Sequence, residues 1–529
     1  MNKVDQFRPG RMTSGLIGGS LHALSLSPWV ADVAAGAPMM LQTLALLILL
    51  VGLQQQATSR GAAVLCWLYG TCWLVGATGW MFVSLHRYGG LPAWMAVVAV
   101  GMLCAALSLY LAVAGWVWAR WRTGVIWCDA GLFGAVWLLA ELARALLFTG
   151  FPWGASGYGL LDTPAQHLAP WLGVYGMGWA WATLCAWGCW SMLGAGVGQQ
   201  PSRGARFAPV LGLLALLAVG GMWVGSSHTQ VVGSRLQVTL LQGNVPQDEK
   251  FTPSRQIEML VWHGRELVAA PGDLVLAPET AIPLLPSQLP DGYWAELQAA
   301  FKQEGRHALI GVPLGDFQTG YTNSAAGLSA DVGTRPDQMY RYDKHHLVPF
   351  GEFIPFGFRW FVQMMNIPLG DFSRGVLAAP SFSVKGQRVA PTICYEDLFG
   401  EEIAARFVDV TQAPTILANV SNLAWFGDSV AIHQHLQIAR LRSLEFQLPT
   451  LRATNTGATV VINHKGEVTA GLAPNTRGSL HAEVQGMSGV TPYAWWVGRW
   501  GLWPLIVLGV LWVCATAIWG RRSVRDTGI

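Results

Sequence analysis

Three side chains that could do acyl chemistry stand just past apolar, strand-like runs. Leu274-Val275-Leu276-Ala277-Pro278-Glu279 delivers a carboxylate, Tyr342-Asp343-Lys344 a cation, and Val389-Ala390-Pro391-Thr392-Ile393-Cys394 a thiol followed at once by Tyr395, Glu396 and Asp397. Residues just beyond strand C-termini are where α/β sites assemble. A cysteine nucleophile needs a base or a lowered pKa. A close, partly desolvated carboxylate can take the thiol proton. The tetrahedral intermediate then carries an oxyanion, which a fixed cation stabilises. Glu279, Lys344 and Cys394 supply these roles without a histidine or a metal. Taken singly each is weak evidence, since a Glu after a strand is most often a turn residue, a loop Lys is most often solvated, and a lone Cys is most often inert core.

Cysteine placement strengthens the reading. Of the 8 cysteines, Cys66, Cys72, Cys104, Cys128, Cys185, Cys189 and Cys514 fall in or beside long apolar runs, and Cys394 stands apart from them. In an oxidising compartment Cys394 has no disulfide partner within its own domain.

The elements that must position these groups fall into three blocks. The 529-residue chain is 52% hydrophobic and only 12% charged, with a mean hydropathy of +0.37. Soluble chains carry about 25% charged residues. The deficit marks a membrane protein, and the 27 Trp suit membrane–water interfaces. A net charge of +3 gives no argument for nucleic acid. Residues 1–225 read as a membrane bundle of about seven spans and 226–500 as a soluble α/β domain. Residues 501–529 read as a closing span with a basic tail. Candidate spans are 12–30, 38–54, 62–84, 92–118, 125–148, 167–194, 207–225 and 501–519. Lys3, Arg8, Arg11, Arg60, Arg120, Arg122, Arg203, Arg206, Arg521, Arg522 and Arg525 fall at alternate loops and at both ends. By the positive-inside rule both termini are cytoplasmic, and 226–500 faces the periplasm of a Gram-negative cell. The basic start could also open a signal peptide, but the following spans continue the same charge alternation.

Glu141 and Arg144 are three apart on one helix face inside the fifth span. They read as a structural ion pair, with a lipid-headgroup contact as the alternative. In 226–500, strands are expected near 236–241, 273–277, 308–312, 389–393, 415–420 and 458–463. Helices are expected over 255–269 and 433–446, and a hairpin turn at 463–467. Strand–helix alternation points to a layered α/β fold. His345-His346 and His433-Gln434-His435 show metal-like spacing but lack a third ligand, so no metal is expected. No phosphate-binding Gly-rich loop is present.

A Glu–Lys–Cys triad in this order, with Cys followed by Tyr-Glu, resembles the nitrilase superfamily. Longer strings are similar to its membrane branch, the apolipoprotein N-acyltransferases. These strings are Gln242–Gln247, Pro278–Pro283, Lys344–Phe353, Ile393–Glu396, Ser421–Gly427, Arg452–Gly457 and Phe151–Trp153. The resemblance covers nearly the whole chain and implies an αββα sandwich carried by a multi-span helical bundle. It implies Glu279 as general base, Lys344 as the stabilising cation, Cys394 as nucleophile and Glu352 assisting beside them. Tyr395, Glu396, Phe251 and Trp153 match positions expected to meet substrate. Phe251 departs from the family, which often has Trp there, and Asp343 is a second local variation. The implied reaction moves an acyl chain from a phospholipid, expected to be phosphatidylethanolamine, through a Cys394 thioester. The acceptor is the α-amine of diacylglyceryl-cysteine on an apolipoprotein. No cofactor is implied, and a monomer in the inner membrane is expected. The alternatives are a membrane-tethered amidase acting on a small amide, and a transporter or scaffold with an inactive domain. Seven spans before the domain argue against the first, and an intact triad argues against the second.

Overall fold

The computed structural model describes residues 12–193, 227–250, 252–331, 339–357, 359 and 372–526. The expected span 207–225, the basic N-terminal residues, Arg203, Arg206 and Phe251 lie outside these. The chain forms two compact units. One comprises 1–79, 94–226 and 502–529; the other comprises 80–93 and 227–501.

The first unit is helical. Its main helices are Thr13–Ser25, Ala37–Gln54, Ser59–Thr78, Ala93–Leu107 with Leu109–Trp121, Ile126–Leu146, Ala169–Leu193 and Trp503–Asp526. Among the described residues four spans are long and apolar enough to cross a bilayer: Ala37–Gln54, Ser59–Thr78, Ala93–Trp121 and Ile126–Thr149. A fifth is added if Pro492–Trp500 and Trp503–Trp519 count as one broken span. The helix within the expected span 12–30 has only 13 residues, about 20 Å at 1.5 Å per residue, against a hydrocarbon core of about 30 Å. Its Gly and Ser content serves close packing instead: a Cβ on Gly19 would lie 2.2 Å from the Tyr69 carbonyl oxygen.

The second unit is a sandwich. Its strands are β1 (Thr229–Val231), β2 (Leu236–Gln242), β3 (Leu274–Ala277), β4 (His307–Asp316), β5 (Gly320–Leu328), β6 (Tyr340–Asp343) and β7 (Phe382–Val384). They continue with β8 (Gln387–Ile393), β9 (Ile416–Ser421), β10 (Thr450–Thr454), β11 (Val460–Ile462), β12 (Val468–Gly471), β13 (Gly478–Val484) and β14 (Met487–Gly489). Two six-stranded sheets run β13-β2-β3-β4-β5-β6 and β12-β11-β10-β9-β8-β7, and β1 pairs with β14 apart from them. The strands β2-β3-β4 pair in parallel, as do β8-β9-β10. Alternation sorts each strand's side chains to two faces. Leu274 and Leu276 join Val389, Ile393, Ile416 and Leu451 in the core between the sheets. Val275 and Ala277 turn outward to meet Leu260, Leu267 and Phe301 on the helices Pro253–Ala269 and Tyr293–Glu304. The far face is covered by Phe407, Phe446 and Tyr493. The layers are therefore αββα, as the sequence implies.

Gly311 on β4 is where backbone meets the Glu279 turn. A Cβ there would lie 2.2 Å from the Pro278 carbonyl oxygen and 2.7 Å from Glu279 Cα. Gly311→Ala is expected to displace that turn and lower stability by about 1–3 kcal/mol. Gly101→Ala, with nothing within 4 Å of the added carbon, serves as the neutral comparison. Thermal melts in detergent read both, and equal melts would show that the turn has slack.

Candidate active site

The strand ends of both sheets converge on one buried ionic cluster. Lys344 follows β6, and its backbone N–H is held 2.8 Å from the Asn323 carbonyl oxygen. Its ammonium, 1% exposed, lies 2.9 Å from Glu352 Oε1 and 3.4 Å from Glu279 Oε1. Asn323, inside β5, donates Nδ2 to both carboxylates at 2.7 Å. The outer oxygens are also held: Asn422 N–H donates to Glu279 Oε2 at 2.9 Å, and Val348 N–H to Glu352 Oε2 at 2.8 Å. Burial alone would pull the Lys344 ammonium down, but Glu352 and Glu279 outweigh it, so it titrates above its ordinary value. It is a permanent cation across the working pH range.

Cys394 ends β8 in a left-handed turn, φ +52°, a conformation that costs a non-glycine residue of order 1–3 kcal/mol. The turn is over-determined. The Cys394 carbonyl oxygen accepts from Asn419 Nδ2 at 3.3 Å and from His435 Nε2 at 3.2 Å. Arg452 can only donate, and its Nη2 lies 2.5 Å from His435 Nδ1. His435 is thereby fixed as the neutral tautomer with its proton on Nε2, and burial and Arg452 hold its pKa well below the ordinary value. Arg452 is anchored by Asp397 Oδ2 at 2.9 Å. The Cys394 side chain is only partly buried. Its thiol is pushed above its ordinary range by desolvation and by Glu279, against the opposing pull of Lys344 and the Asn422 N–H. At neutral pH the Cys394 side chain therefore rests as a thiol.

Glu396 and Tyr395 follow Cys394 in the turn after β8. Glu396 Oε1 accepts from the N–H groups of His345 and His346 at 2.7 and 3.1 Å. Its Oε2 accepts from Tyr342 OH at 2.8 Å and Ile393 N–H at 2.7 Å. Both oxygens are thus spent within the protein, and Glu396 braces the Lys344 loop against the end of β8. Tyr395 is 6% exposed and packs edge-on against Phe399. Trp153 belongs to the helical unit and is 2% exposed. Arg144 holds the carbonyl oxygens of Phe151 and Trp153 at 2.9 and 2.6 Å, and Glu141 accepts from Ser156 N–H and Oγ, both at 2.8 Å. Glu141 and Arg144 themselves approach to 3.8 Å, so the pair pins the 151–156 loop. The paired histidines are spent locally: His345 bonds the Gly375 carbonyl and His346 bonds Glu402.

Several residues that brace the cluster are not picked out as site residues by the sequence. Asn422, Asn455 and Gln247 join three of the quoted strings. Asn422 Nδ2 donates to Gln247 Oε1 at 3.0 Å, Asn455 Nδ2 donates to Asn422 Oδ1 at 3.0 Å, and Asn455 Oδ1 accepts from Val245 N–H at 2.9 Å. Lys250 is buried against the same turn, with Nζ bonded to Thr280 Oγ1 and 3.5 Å from the Glu279 carbonyl oxygen. Asp248-Glu249-Lys250 reads as a solvated charge run, which hides it.

Both regions of the chain match described families. Residues 18–187 match "Apolipoprotein N-acyltransferase N-terminal domain", and residues 237–493 match "Carbon-nitrogen hydrolase". The protein named "Apolipoprotein N-acyltransferase" of Verminephrobacter eiseniae is 46% identical, with 92% of each chain covered. That of Ralstonia nicotianae is 43% identical, covering 96% of this chain and 92% of its own. The chain belongs to the apolipoprotein N-acyltransferase family. It is a membrane enzyme, an N-acyltransferase with a nitrilase-like domain. Among solved structures, a carbon-nitrogen hydrolase from Helicobacter pylori G27 covers 51% of this chain and 94% of its own, at 17% identity and TM-score 0.34. An amidase from Nesterenkonia sp. covers 51% and 95%, at 17% identity and TM-score 0.36.

Because the resting Cys394 is a thiol, alkylation by iodoacetamide should be slow at neutral pH and accelerate only above the ordinary thiol range. Intact mass of the alkylated protein measures this, with Cys394→Ser as the blank. Rapid, pH-independent alkylation near neutrality would show a preformed thiolate.

Proposed function

We propose that the cluster transfers an acyl chain from a phospholipid to the N-terminal amine of diacylglyceryl-cysteine on apolipoproteins, through a thioester on Cys394. The observation that carries the reading is the buried Lys344 ammonium held between Glu279 and Glu352 at strand ends shared with Cys394. In the first half-reaction Glu279 takes the thiol proton as sulfur attacks the ester carbonyl. Lys344 stabilises the oxyanion. The ester C–O bond breaks, and the proton on Glu279 passes to the departing lysophospholipid oxygen. In the second, the α-amine attacks the thioester and gives a proton to Glu279. The C–S bond breaks, and Glu279 returns that proton to sulfur. Glu352 keeps Lys344 charged and placed throughout. Tyr395, Phe251 and Trp153 are assigned to substrate contact by family position alone.

Both substrates are lipid-anchored, which explains a multi-helix unit in place of a single anchor. Phosphatidylethanolamine is the proposed donor, the inner membrane the location, and a monomer the working form. We assign 1–225 to the membrane bundle, 226–500 to the periplasmic catalytic domain and 501–529 to the closing span and cytoplasmic tail. The family membership and the lipid-facing architecture favour this over a small-amide hydrolase.

Cys394→Ala should abolish the acyl-enzyme detected by intact mass after phospholipid is added. Glu279→Gln should lose thioester formation while keeping the fold. Lys344→Met should slow formation and breakdown of the thioester alike by roughly 10²-fold or more, since both pass through a tetrahedral intermediate. Normal acylation by folded Glu279→Gln protein would refute the base assignment. Reporter fusions at span ends should place 226–500 outside the cytoplasm, and a cytoplasmic signal from that domain would overturn the location and substrate together.

A further inference from the structure

Lys250 is a buried cation that the reaction above does not use. Its side chain is 1% exposed. Its ammonium donates to Thr280 Oγ1 and lies 3.5 Å from the Glu279 carbonyl oxygen. Both acceptors are neutral, and among the described residues no carboxylate pairs with it. By contrast, Lys344 has two carboxylates within 3.4 Å. A buried ammonium without an anion is destabilising by several kcal/mol before compensation, so packing alone gives no reason for it. Its acceptors are the informative part. Thr280 sits at φ +50°, and left-handed backbone in a β-branched residue is a genuine outlier. Thr280 directly follows Glu279, so this strained turn sets where the carboxylate points.

We propose that Lys250 is a positioning residue of the acyl-transfer site: its ammonium clamps the left-handed turn at Thr280 and so aims the Glu279 carboxylate. The proposal deepens the acyl-transfer reading and rests on it. The titratable groups that feel this charge are Glu279, Cys394 and His263. Burial pulls the ammonium down to about 8 from its ordinary 10.5, with Glu279 and Cys394 opposing. The folded state thus binds fewer protons than the unfolded chain between those values. The cost to stability is present below pH 8 and is relieved as pH rises toward 10.5.

Lys250→Met keeps the length and removes the charge, and thioester yield from phosphatidylethanolamine micelles and the thermal midpoint are measured side by side. The expected result is slower acylation, by up to about 10²-fold, at a midpoint equal to or above that of the parent. The parent's gain in stability between pH 8 and 10.5 should also shrink in the variant. A structural lysine would instead lose stability and activity together, and that result, or normal acylation, would overturn the proposal. Thr280→Val removes the hydroxyl acceptor and keeps the branching, so it tests the clamp if Lys250→Met does not fold. It should slow acylation as well, and a normal rate would overturn the clamp. Parent enzyme that forms no thioester, or Cys394→Ala that does, would refute the acyl-transfer reading itself, independently of Lys250.

Discussion

The Lys344 ammonium can stay charged in the interior only because two carboxylates are held against it. Much of the site is arranged to keep those carboxylates in place. Asn323 bridges both from β5, and the N–H groups of Asn422 and Val348 fix their outer oxygens. Asn422 follows β9 in one sheet, while Glu279 and Lys344 follow strands of the other. The cluster therefore ties the two sheets together near the end of β8, where Cys394 emerges. Removing either carboxylate would leave a buried charge poorly compensated, so the electrostatics of the site and the alignment of the strand ends are one problem.

Cys394 is restrained differently. No charge touches its carbonyl; two neutral donors do, and one of them, His435, is oriented by an Arg452–Asp397 pair beneath it. Glu396 adds a brace by collecting four donors from β6, the loop after it and the end of β8. A left-handed residue at the end of a strand persists when its surroundings leave it no alternative. Burial and Glu279 both oppose ionisation of the thiol that this turn carries.

The helical unit uses the same physics where water is scarcer. Glu141 and Arg144 spend their hydrogen bonds on the 151–156 segment more than on each other, whose closest approach is 3.8 Å. The pair thereby satisfies backbone groups of a connecting segment between two helices.

The apolar runs, the strand–helix alternation and the order Glu279, Lys344, Cys394 were legible in the sequence, because hydropathy, periodicity and side-chain chemistry are local properties. A membrane unit and a layered α/β domain follow from them, and the αββα sandwich and the family from the resemblance that the longer strings carry. What a residue does with its hydrogen bonds is not local. Glu396 looks like a substrate contact by position, yet both of its oxygens accept from protein donors. His435 reads as half of a metal-like pair until Arg452, on a different strand, sets its tautomer. Lys250 reads as one more solvated charge beside Asp248 and Glu249. Only the packing of its segment over Thr280 buries it, because burial and partner identity are decided by residues about 30 positions away in the chain.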